Sequence, residues 1–343
     1  MPASSTPPAL VCLGEILARL STPNHLPLAD TPALELHFGG AETNVAVQFS
    51  ELGASAALVS LLPRSPLADA ALEKIAARRV DTRHVFRQGN RMGLYFLESG
   101  HGARPSTVTY DRTHTAFSML RPGLFAWESI LSGARWFHWS GITPPLGDAC
   151  AAACEEAITA ARTLGVKVSC DVNFRAGLWS PAQAAATLPP LVANADLCLC
   201  GATEAQTLLG ATPSPDADSE EARFVEVARS MQARHGVKVV AMLIRGGKTA
   251  DEGSLRGLLV DSSGTPFLSR THPAPALGRI GSGDSFAGAL LFALNAEWPP
   301  SECVEFAAAA AAWKHSVAGD WSRGGVPAIQ ALALGASGAT IRR

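Results

Sequence analysis

Short apolar runs alternate with longer helical patterns over most of this chain, and that order constrains the fold more than any other feature. The helical patterns at Thr43–Leu52, Gly147–Leu164 and Glu220–Arg234 are each followed closely by a glycine, a common helix stop. The apolar runs resemble strands buried on both faces of a mainly parallel sheet. Together these patterns predict a doubly wound α/β fold. The predicted strands cover residues 9–15, 56–62, 134–141, 166–172, 196–201 and 237–247.

Two regions interrupt this alternation, residues 15–40 and 88–115. They are rich in Pro, Gly and His and contain alternating patterns such as "GLYFLES" and "STVTYDR". Such patterns are typical of short antiparallel strands. We predict a small β-structure that covers a site at the carboxyl ends of the parallel strands, where open α/β sheets bind ligands.

The composition is that of an enzyme-like globular protein. Of 343 residues, 47% are hydrophobic and 17% charged, and the net charge is −2, which gives no electrostatic reason to expect nucleic acid or an anionic membrane as a partner. Residues 1–9 lack the basic start and apolar core of a signal peptide and are predicted to be a disordered lead-in. The alanine-rich stretches are interrupted by charge, so no transmembrane helix is predicted.

Seven scattered cysteines, an odd number, argue against a disulfide framework. Cys150 and Cys154 are one helical turn apart and Cys198 and Cys200 share a strand face, but neither pair has the CxxC spacing of a zinc knuckle. We interpret them as ordinary buried thiols and expect a reducing compartment, the cytoplasm.

The stretch "GRIGSGDSFAG" runs directly into an apolar helical pattern. The turn at Gly281, Ser282 and Gly283 presents unpaired N–H groups with the positive end of a helix dipole behind them, which suits an anion. Asp284 then has two interpretations: a helix-capping carboxylate, or a general base that deprotonates an alcohol attacking a phosphoryl group. No GxxxxGK[ST] pattern occurs, so this is not a Walker A loop.

The segment "FGGAETN" places paired glycines shortly before an asparagine. Gly39 and Gly40 allow the backbone to approach a ligand closely, and Asn44 offers a donor and an acceptor to vicinal hydroxyls. A turn followed by a helix start explains the same residues.

Two segments carry arginines beside aromatic or polar residues. Tyr95, Tyr110 and Arg112 together suit an anionic, hydroxylated small molecule, since Arg binds carboxylate in a bidentate manner. Arg175 follows a predicted strand and is a second candidate clamp for carboxylate or phosphate. An exposed hairpin and a loop salt bridge are the alternative explanations.

The segment "AAWKHSVAGDW" has Lys314 and His315 near a predicted helix end and Asp320 in the following loop. Positive charge near a helix C-terminus is favoured by the dipole, so Lys314 and His315 need no function. Asp320 follows a glycine and is weakly informative alone.

The order and spacing of these segments resemble the ribokinase-like (PfkB) carbohydrate kinases. Within that family, "GEILARLS", "GGAETNVA", "RPSTVTYDR", "HWSGI", "DVNFRAGLW" and "KHSVAGDW" look most like 2-keto-3-deoxygluconate kinases. The resemblance covers about residues 10–330, and the set of motifs is more specific than any one of them.

The resemblance implies a ribokinase-like three-layer α/β/α domain over residues 10–335, with a β-lid from segments near 15–40 and 88–115. It also implies ATP as phosphoryl donor and Mg²⁺ bridging the phosphates, with a small-molecule sugar acid as the second substrate. The exposed edge of the lid sheet is a candidate surface for a homo-oligomer, a dimer formed through the lid.

The resemblance assigns the catalytic base to Asp284 and the anion hole to the amides of Gly281, Ser282 and Gly283. Neutral sugars have no carboxylate to satisfy, so the two predicted arginine contacts favour a sugar acid. The sugar-acid contacts it implies are Gly40, Asn44, Tyr95, Tyr110, Arg112, Arg175 and Asp320.

The nucleotide and metal contacts are less marked in the sequence. Gly246 and Gly247 follow a strand where the family places nucleotide contacts, although a strand-to-loop turn explains them equally well. Gly281 and Gly283 would contact the nucleotide phosphates, and Glu204 would organise Mg²⁺ indirectly, through water.

Two positions depart from the family pattern. The family usually has an aspartate where this chain has Gly278, and that aspartate commonly helps to build a monovalent-cation site. An asparagine is likewise replaced by Gly201, three residues before the retained Glu204. A K⁺ requirement therefore does not follow for this chain, and a metal affinity altered from that of the family is expected.

Three functions remain open from the sequence. The leading prediction is a kinase that makes 2-keto-3-deoxy-6-phosphogluconate from 2-keto-3-deoxygluconate and ATP. A kinase for another sugar, such as fructose or 2-keto-3-deoxygalactonate, is the first alternative. A non-catalytic sugar-acid-binding protein is the second, supported only by Gly278 and Gly201.

Overall fold

The computed structural model describes residues 7–214, 217–247, 253–275 and 277–335, which form two β-sheets and ten α-helices. The strands are β1 Leu10–Leu13, β2 Leu17–Ser21, β3 Glu35–Gly39, β4 Ala56–Leu62, β5 Val80–Arg87, β6 Gly93–Glu98, β7 Thr107–Asp111, β8 Trp136–Ser140, β9 Lys167–Asp171, β10 Leu197–Leu199, β11 Val239–Gly246, β12 Ser254–Val260, β13 Pro266–Leu268 and β14 His272–Pro273. The α-helices are α1 Ala41–Glu51, α2 Pro66–Ala76, α3 Trp127–Leu131, α4 Asp148–Thr163, α5 Pro181–Val192, α6 Ala202–Leu209, α7 Glu220–His235, α8 Ser282–Asn295, α9 Pro300–His315 and α10 Val326–Ala333.

The larger sheet has the strand order β13-β12-β11-β10-β9-β8-β1-β4-β5, with β14 also paired to β12. All neighbours from β11 to β5 are parallel. Each predicted strand is present, and the doubly wound fold is confirmed. The edge strand β5 and the antiparallel edge strands β12 to β14 were not predicted. In β12, Arg256 and Gly257 interrupt the apolar pattern that marks a buried strand.

Helices cover both faces of this sheet, which gives three layers. Alternate residues of β1 enter different cores: Leu10 and Cys12 pack on one face, and Val11 and Leu13 on the other. Helices α3 to α7 contribute to the core that holds Val11, and α1, α2, α8, α9 and α10 to the opposite core. The seven cysteines are all buried and free. No helix in the described ranges is long and apolar enough to cross a membrane.

The smaller sheet has the strand order β3-β2-β6-β7 and is formed by the two regions that interrupt the α/β alternation. Its outer pairs are antiparallel as predicted, but the central pair β2–β6 is parallel, so the prediction of purely antiparallel pairing is wrong. The physical reason is that β2 follows β1 and β6 follows β5, two strands of the larger sheet that point in the same direction. Dimer formation through this lid sheet stays a prediction.

Candidate active site

A cavity of about 380 Å³ lies where the lid sheet faces the carboxyl ends of the parallel strands. It is lined by residues that follow β1, β8, β9 and β10, by the end of β11, and by the starts of α1 and α8. This is the edge at which the chain order reverses, with β1 between β8 and β4. Open α/β sheets bind ligands at such a position.

The start of α8 forms one wall of the cavity. Gly281 is the N-cap residue with φ 84°, a left-handed conformation that glycine adopts without strain. A Cβ atom at this position would lie 2.1 Å from the carbonyl oxygen of Asp320, so the backbone needs glycine for a second reason. Ser282 donates its N–H to the Arg279 carbonyl at 3.3 Å. The N–H groups of Gly283 and Asp284 lie in the first turn, which offers them no intrahelical acceptor.

Asp284 faces the cavity from the first turn of α8. Its Oδ2 accepts a hydrogen bond of 2.6 Å from Nδ2 of Asn44, in the first turn of α1. The two helices approach closely because Gly288 faces α1, where a Cβ would lie 2.8 Å from the Val45 carbonyl oxygen. Burial raises the pKa of Asp284 to about 6, although the Asn44 hydrogen bond and the nearby Arg175 oppose the shift.

This pKa gives a direction for the pH dependence of catalysis. If Asp284 is the base, it must be ionised, so kcat/KM should fall as the pH decreases through about 6 and by about tenfold per pH unit below that. The rate should be measured between pH 4.5 and 8 by direct chromatography of ADP, with Mg²⁺ in excess over ATP. A rate that stays constant down to pH 4.5 would contradict the assignment of Asp284 as the base.

The start of α1 forms a second wall. Gly40 has φ 134°, and a Cβ there would lie 2.0 Å from the carbonyl oxygen of Glu15, which follows β1. The paired-glycine segment therefore brings the backbone of α1 against the end of β1. Glu42, in the first turn of this helix, is buried and accepts a hydrogen bond of 2.6 Å from Ser140 at the end of β8. Burial raises the pKa of Glu42 to about 7.

The lid contributes two tyrosines that face each other across neighbouring strands. Tyr95 of β6 pairs in register with Tyr110 of β7, and their ring centroids are 5.7 Å apart. Both line the cavity; Tyr95 is buried and Tyr110 is 41% exposed. Asp320 accepts a hydrogen bond from the Tyr95 hydroxyl and lies 3.3 Å from Nη1 of Arg19 on β2. The lid and the loop that follows α9 are thus joined through one buried carboxylate.

The two predicted arginine clamps lie in different environments. Arg112 is buried and forms an ion pair with Glu15, whose other oxygen accepts a hydrogen bond of 2.6 Å from Thr115. Arg175 lines the cavity, is exposed, and donates to the carbonyl of Phe174 at 3.1 Å. Among the described residues no carboxylate forms a salt bridge with Arg175. Its charge is therefore the more available of the two for a ligand.

Glu204 lines the cavity from the first turn of α6. Its two oxygens accept N–H groups from Gly201 at 2.7 Å and from Phe174 at 2.8 Å. The carboxylate joins the loops after β9 and β10, which fits an indirect role toward a metal. Within the described ranges no group of three acidic, His or Cys side chains could hold a metal ion by itself.

Two cavity-lining arginines were missed from the sequence. Arg279 lies inside the glycine-rich motif itself, and Arg245 comes directly before Gly246. Nη1 of Arg245 donates to the Ser282 hydroxyl at 3.1 Å, which places a second cation beside the start of α8. Gly246 and Gly247 are exposed at the end of β11 but do not line the cavity, so their nucleotide contact stays a prediction.

Unpaired amides, a carboxylate and several arginines beneath a lid are the parts that phosphoryl transfer to a small molecule requires. The sequence supports this class of enzyme. Residues 8–322 match the pfkB family carbohydrate kinase profile, and the chain belongs to that family.

Individual relatives carry related names. A crystal structure of 2-dehydro-3-deoxygluconokinase from Thermotoga maritima superposes with a TM-score of 0.91 at 37% identity, covering 95% of this chain and 99% of that one. The 2-dehydro-3-deoxygalactonokinase of Haloferax volcanii is 31% identical over 91% of this chain and 92% of its own length. The 2-dehydro-3-deoxygluconokinase of Thermoproteus tenax is 27% identical over 91% of this chain and 90% of its own. The chain is accordingly a sugar kinase that acts on a small-molecule sugar and ATP.

Proposed function

We propose that this kinase phosphorylates the terminal hydroxyl of 2-keto-3-deoxygluconate to give 2-keto-3-deoxy-6-phosphogluconate. The observation that carries the proposal is Asp284, at the start of α8, in the same cavity as Arg175, an exposed arginine that forms no salt bridge with any described carboxylate. A base beside an anion-binding helix start suits phosphoryl transfer to an alcohol, and a free guanidinium suits the carboxylate of a sugar acid.

In the proposed reaction, Asp284 takes the proton from the terminal hydroxyl while that oxygen bonds to the γ-phosphorus of ATP. The bond from the γ-phosphorus to the bridging oxygen breaks, and ADP leaves with the electron pair. The amides at the start of α8, with Arg245 and Arg279 nearby, stabilise the charge on the transferred group. Asn44 holds the carboxylate of Asp284 through its hydrogen bond of 2.6 Å.

The residues present fit a metal that arrives with the nucleotide. Mg²⁺ neutralises phosphate charge when bound. Both carboxylate oxygens of Glu204 accept backbone N–H groups, so Glu204 would contact the metal through water molecules of the Mg²⁺ hydration shell. The lid tyrosines and Asp320 close the sugar side of the cavity, and exclusion of water there limits hydrolysis of ATP.

The test is ADP release with a panel of 2-keto-3-deoxygluconate, 2-keto-3-deoxygalactonate, fructose and ribose. We expect the highest kcat/KM with the gluconate. Tight binding of a sugar acid without ADP release would favour a binding protein over an enzyme. A preference for fructose or ribose would contradict the sugar-acid proposal.

A second candidate substrate is 2-keto-3-deoxygalactonate, which differs in configuration at C4. The observation in its favour is the name of the Haloferax volcanii relative, 2-dehydro-3-deoxygalactonokinase, which matches over nearly the full length of both chains. A higher kcat/KM for the galactonate in the same panel would establish this candidate instead.

Replacement of Arg175 by Ala should raise KM for the sugar acid by about 10- to 100-fold, because a hydrogen bond to a charged group contributes about 1.5–3 kcal/mol. KM for ATP should change little. Arg121→Ala is a matched control, since Arg121 is also exposed but lies outside the cavity lining. A larger effect on KM for ATP than on KM for the acid would place Arg175 on the phosphate side.

A further inference from the structure

Lys314, in the last turn of α9, is the only described lysine that is buried, with a side chain 0% exposed. Its Nζ donates to the carbonyl of Val317 at 2.9 Å and to the carbonyl of Gly278 at 3.2 Å. Among the described residues no carboxylate forms a salt bridge with it. Burying an ammonium group costs free energy unless nearby groups compensate its charge, so two backbone carbonyls alone are an unusual partner set.

The two carbonyls belong to the two loops that build the site. The Gly278 loop leads into the anion-binding start of α8, and the Val317 loop leads to Asp320. The loops are in direct contact, because a Cβ at Gly281 would lie 2.1 Å from the carbonyl oxygen of Asp320. The Lys314 ammonium therefore lies at the junction of the phosphate-binding and sugar-binding loops.

Gly278 and Lys314 fit together sterically. A Cβ at Gly278 would lie 2.3 Å from the Val317 carbonyl oxygen and 3.3 Å from Nζ of Lys314. The position at which the family usually has an aspartate for a monovalent cation thus has no room for a side chain in this conformation. The carbonyls there already have a cation, because the ammonium is bound to them.

We propose that the Lys314 ammonium takes the place of a monovalent cation beside the anion-binding loop, so that catalysis by this chain does not require K⁺. An ammonium group and K⁺ both bind carbonyl oxygens, and either would offset the repulsion between two converging carbonyl dipoles. Lys314 is then a positioning residue, which acts through the loops and touches neither substrate. Burial and Arg19 lower the pKa of Lys314 to about 8, whereas Asp320 and Asp284 raise it, and the group remains mostly charged at pH 7.

The inference concerns the phosphate-binding loop and holds whichever sugar acid is the substrate. The experiment compares wild type and Lys314→Met at constant ionic strength in tetramethylammonium, K⁺ or NH₄⁺ chloride. Wild-type kcat/KM should be the same in all three salts. In tetramethylammonium, kcat/KM of Lys314→Met should be about 10- to 100-fold below that of the wild type, the size expected for a small displacement of reacting groups. K⁺ or NH₄⁺ should restore the activity of this variant.

Phe306→Leu is the control for a general loss of stability. Phe306 is buried in the same helix and packs against Phe292 and Trp298, away from the two loops. Its variant should not respond to the cation. Two results would overturn the proposal. One is a stable Lys314→Met variant whose activity no cation restores. The other is activation of the wild type by K⁺ of about tenfold or more, the size expected for a missing positioning contact.

Affinity for a non-hydrolysable ATP analogue with Mg²⁺, measured by calorimetry in the same salts, separates this inference from the substrate proposal. If no sugar acid is phosphorylated, the substrate proposal fails, but an analogue affinity of wild type that is independent of K⁺ still supports the inference. If Lys314→Met does not fold, the wild-type comparison decides: activation or tighter binding in K⁺ overturns the inference, and its absence supports it.

Discussion

Asp284→Asn is expected to lower kcat by about 10²- to 10⁴-fold, the range that general base catalysis contributes. The amide cannot accept the proton from the sugar hydroxyl at neutral pH, yet it keeps the shape of the carboxylate and one oxygen to accept the Asn44 hydrogen bond. KM values and the melting temperature should therefore change little. The measurement is steady-state ADP release with 2-keto-3-deoxygluconate, together with thermal unfolding.

A matched control is Asp148→Asn. Asp148 also lies in the first turn of a helix, α4, directly after a glycine N-cap, but it is exposed and outside the cavity. An ordinary first-turn carboxylate and the proposed catalytic base are thus compared in the same chain. Wild-type turnover by Asp284→Asn would show that Asp284 is only a first-turn carboxylate and that the base is elsewhere.

Gly281→Ala is the second substitution from which we expect a large loss of activity. The new Cβ would meet the carbonyl oxygen of Asp320 at 2.1 Å, and φ of 84° is unfavourable for alanine. The start of α8 must then shift away from the loop of Asp320. We expect kcat to fall by about 10²- to 10³-fold, the effect of losing one oxyanion donor, and the stability to fall by about 1–3 kcal/mol.

Gly283→Ala, two residues further along, is the control for this prediction. The nearest atom to its Cβ is Nη2 of Arg245 at 3.8 Å, an ordinary contact, and φ is not positive. Both variants add one methyl group at the start of α8, so their difference isolates the backbone geometry at Gly281. Equal activity of the two variants would mean that the geometry of the α8 start does not limit catalysis.

The residues that follow buried strands were the most predictable part of the site. Arg175 was proposed because it follows a predicted strand, and it lines the cavity after β9. Glu204, which lines the cavity after β10, was assigned only through the family resemblance. Parallel strands end at one edge of a sheet, so a polar residue after such a strand lies near the site. The same rule also points to Arg245, at the end of β11 and directly before the two candidate glycines.

Pairings between distant residues could not be read from the chain. Asn44 and Asp284 are 240 residues apart, and their hydrogen bond depends on the close packing of α1 on α8 at Gly288. Glu15 forms an ion pair with Arg112, so Arg175 is the more available of the two arginines for binding a ligand. Lys314 was explained by the helix dipole, because nothing in its own segment indicates that two loops bring carbonyls to it.

The sequence by itself determined the α/β class, the lid segments, the family resemblance and the residue types in the site, because hydrophobic periodicity and glycine-rich turns are local properties. Only the tertiary structure decided which charges are already neutralised and which face the cavity. Charge neutralisation depends on distances between side chains that folding brings together. For that reason Gly278, which in the sequence is only a missing aspartate, becomes in the folded chain the position where the backbone binds the ammonium of Lys314.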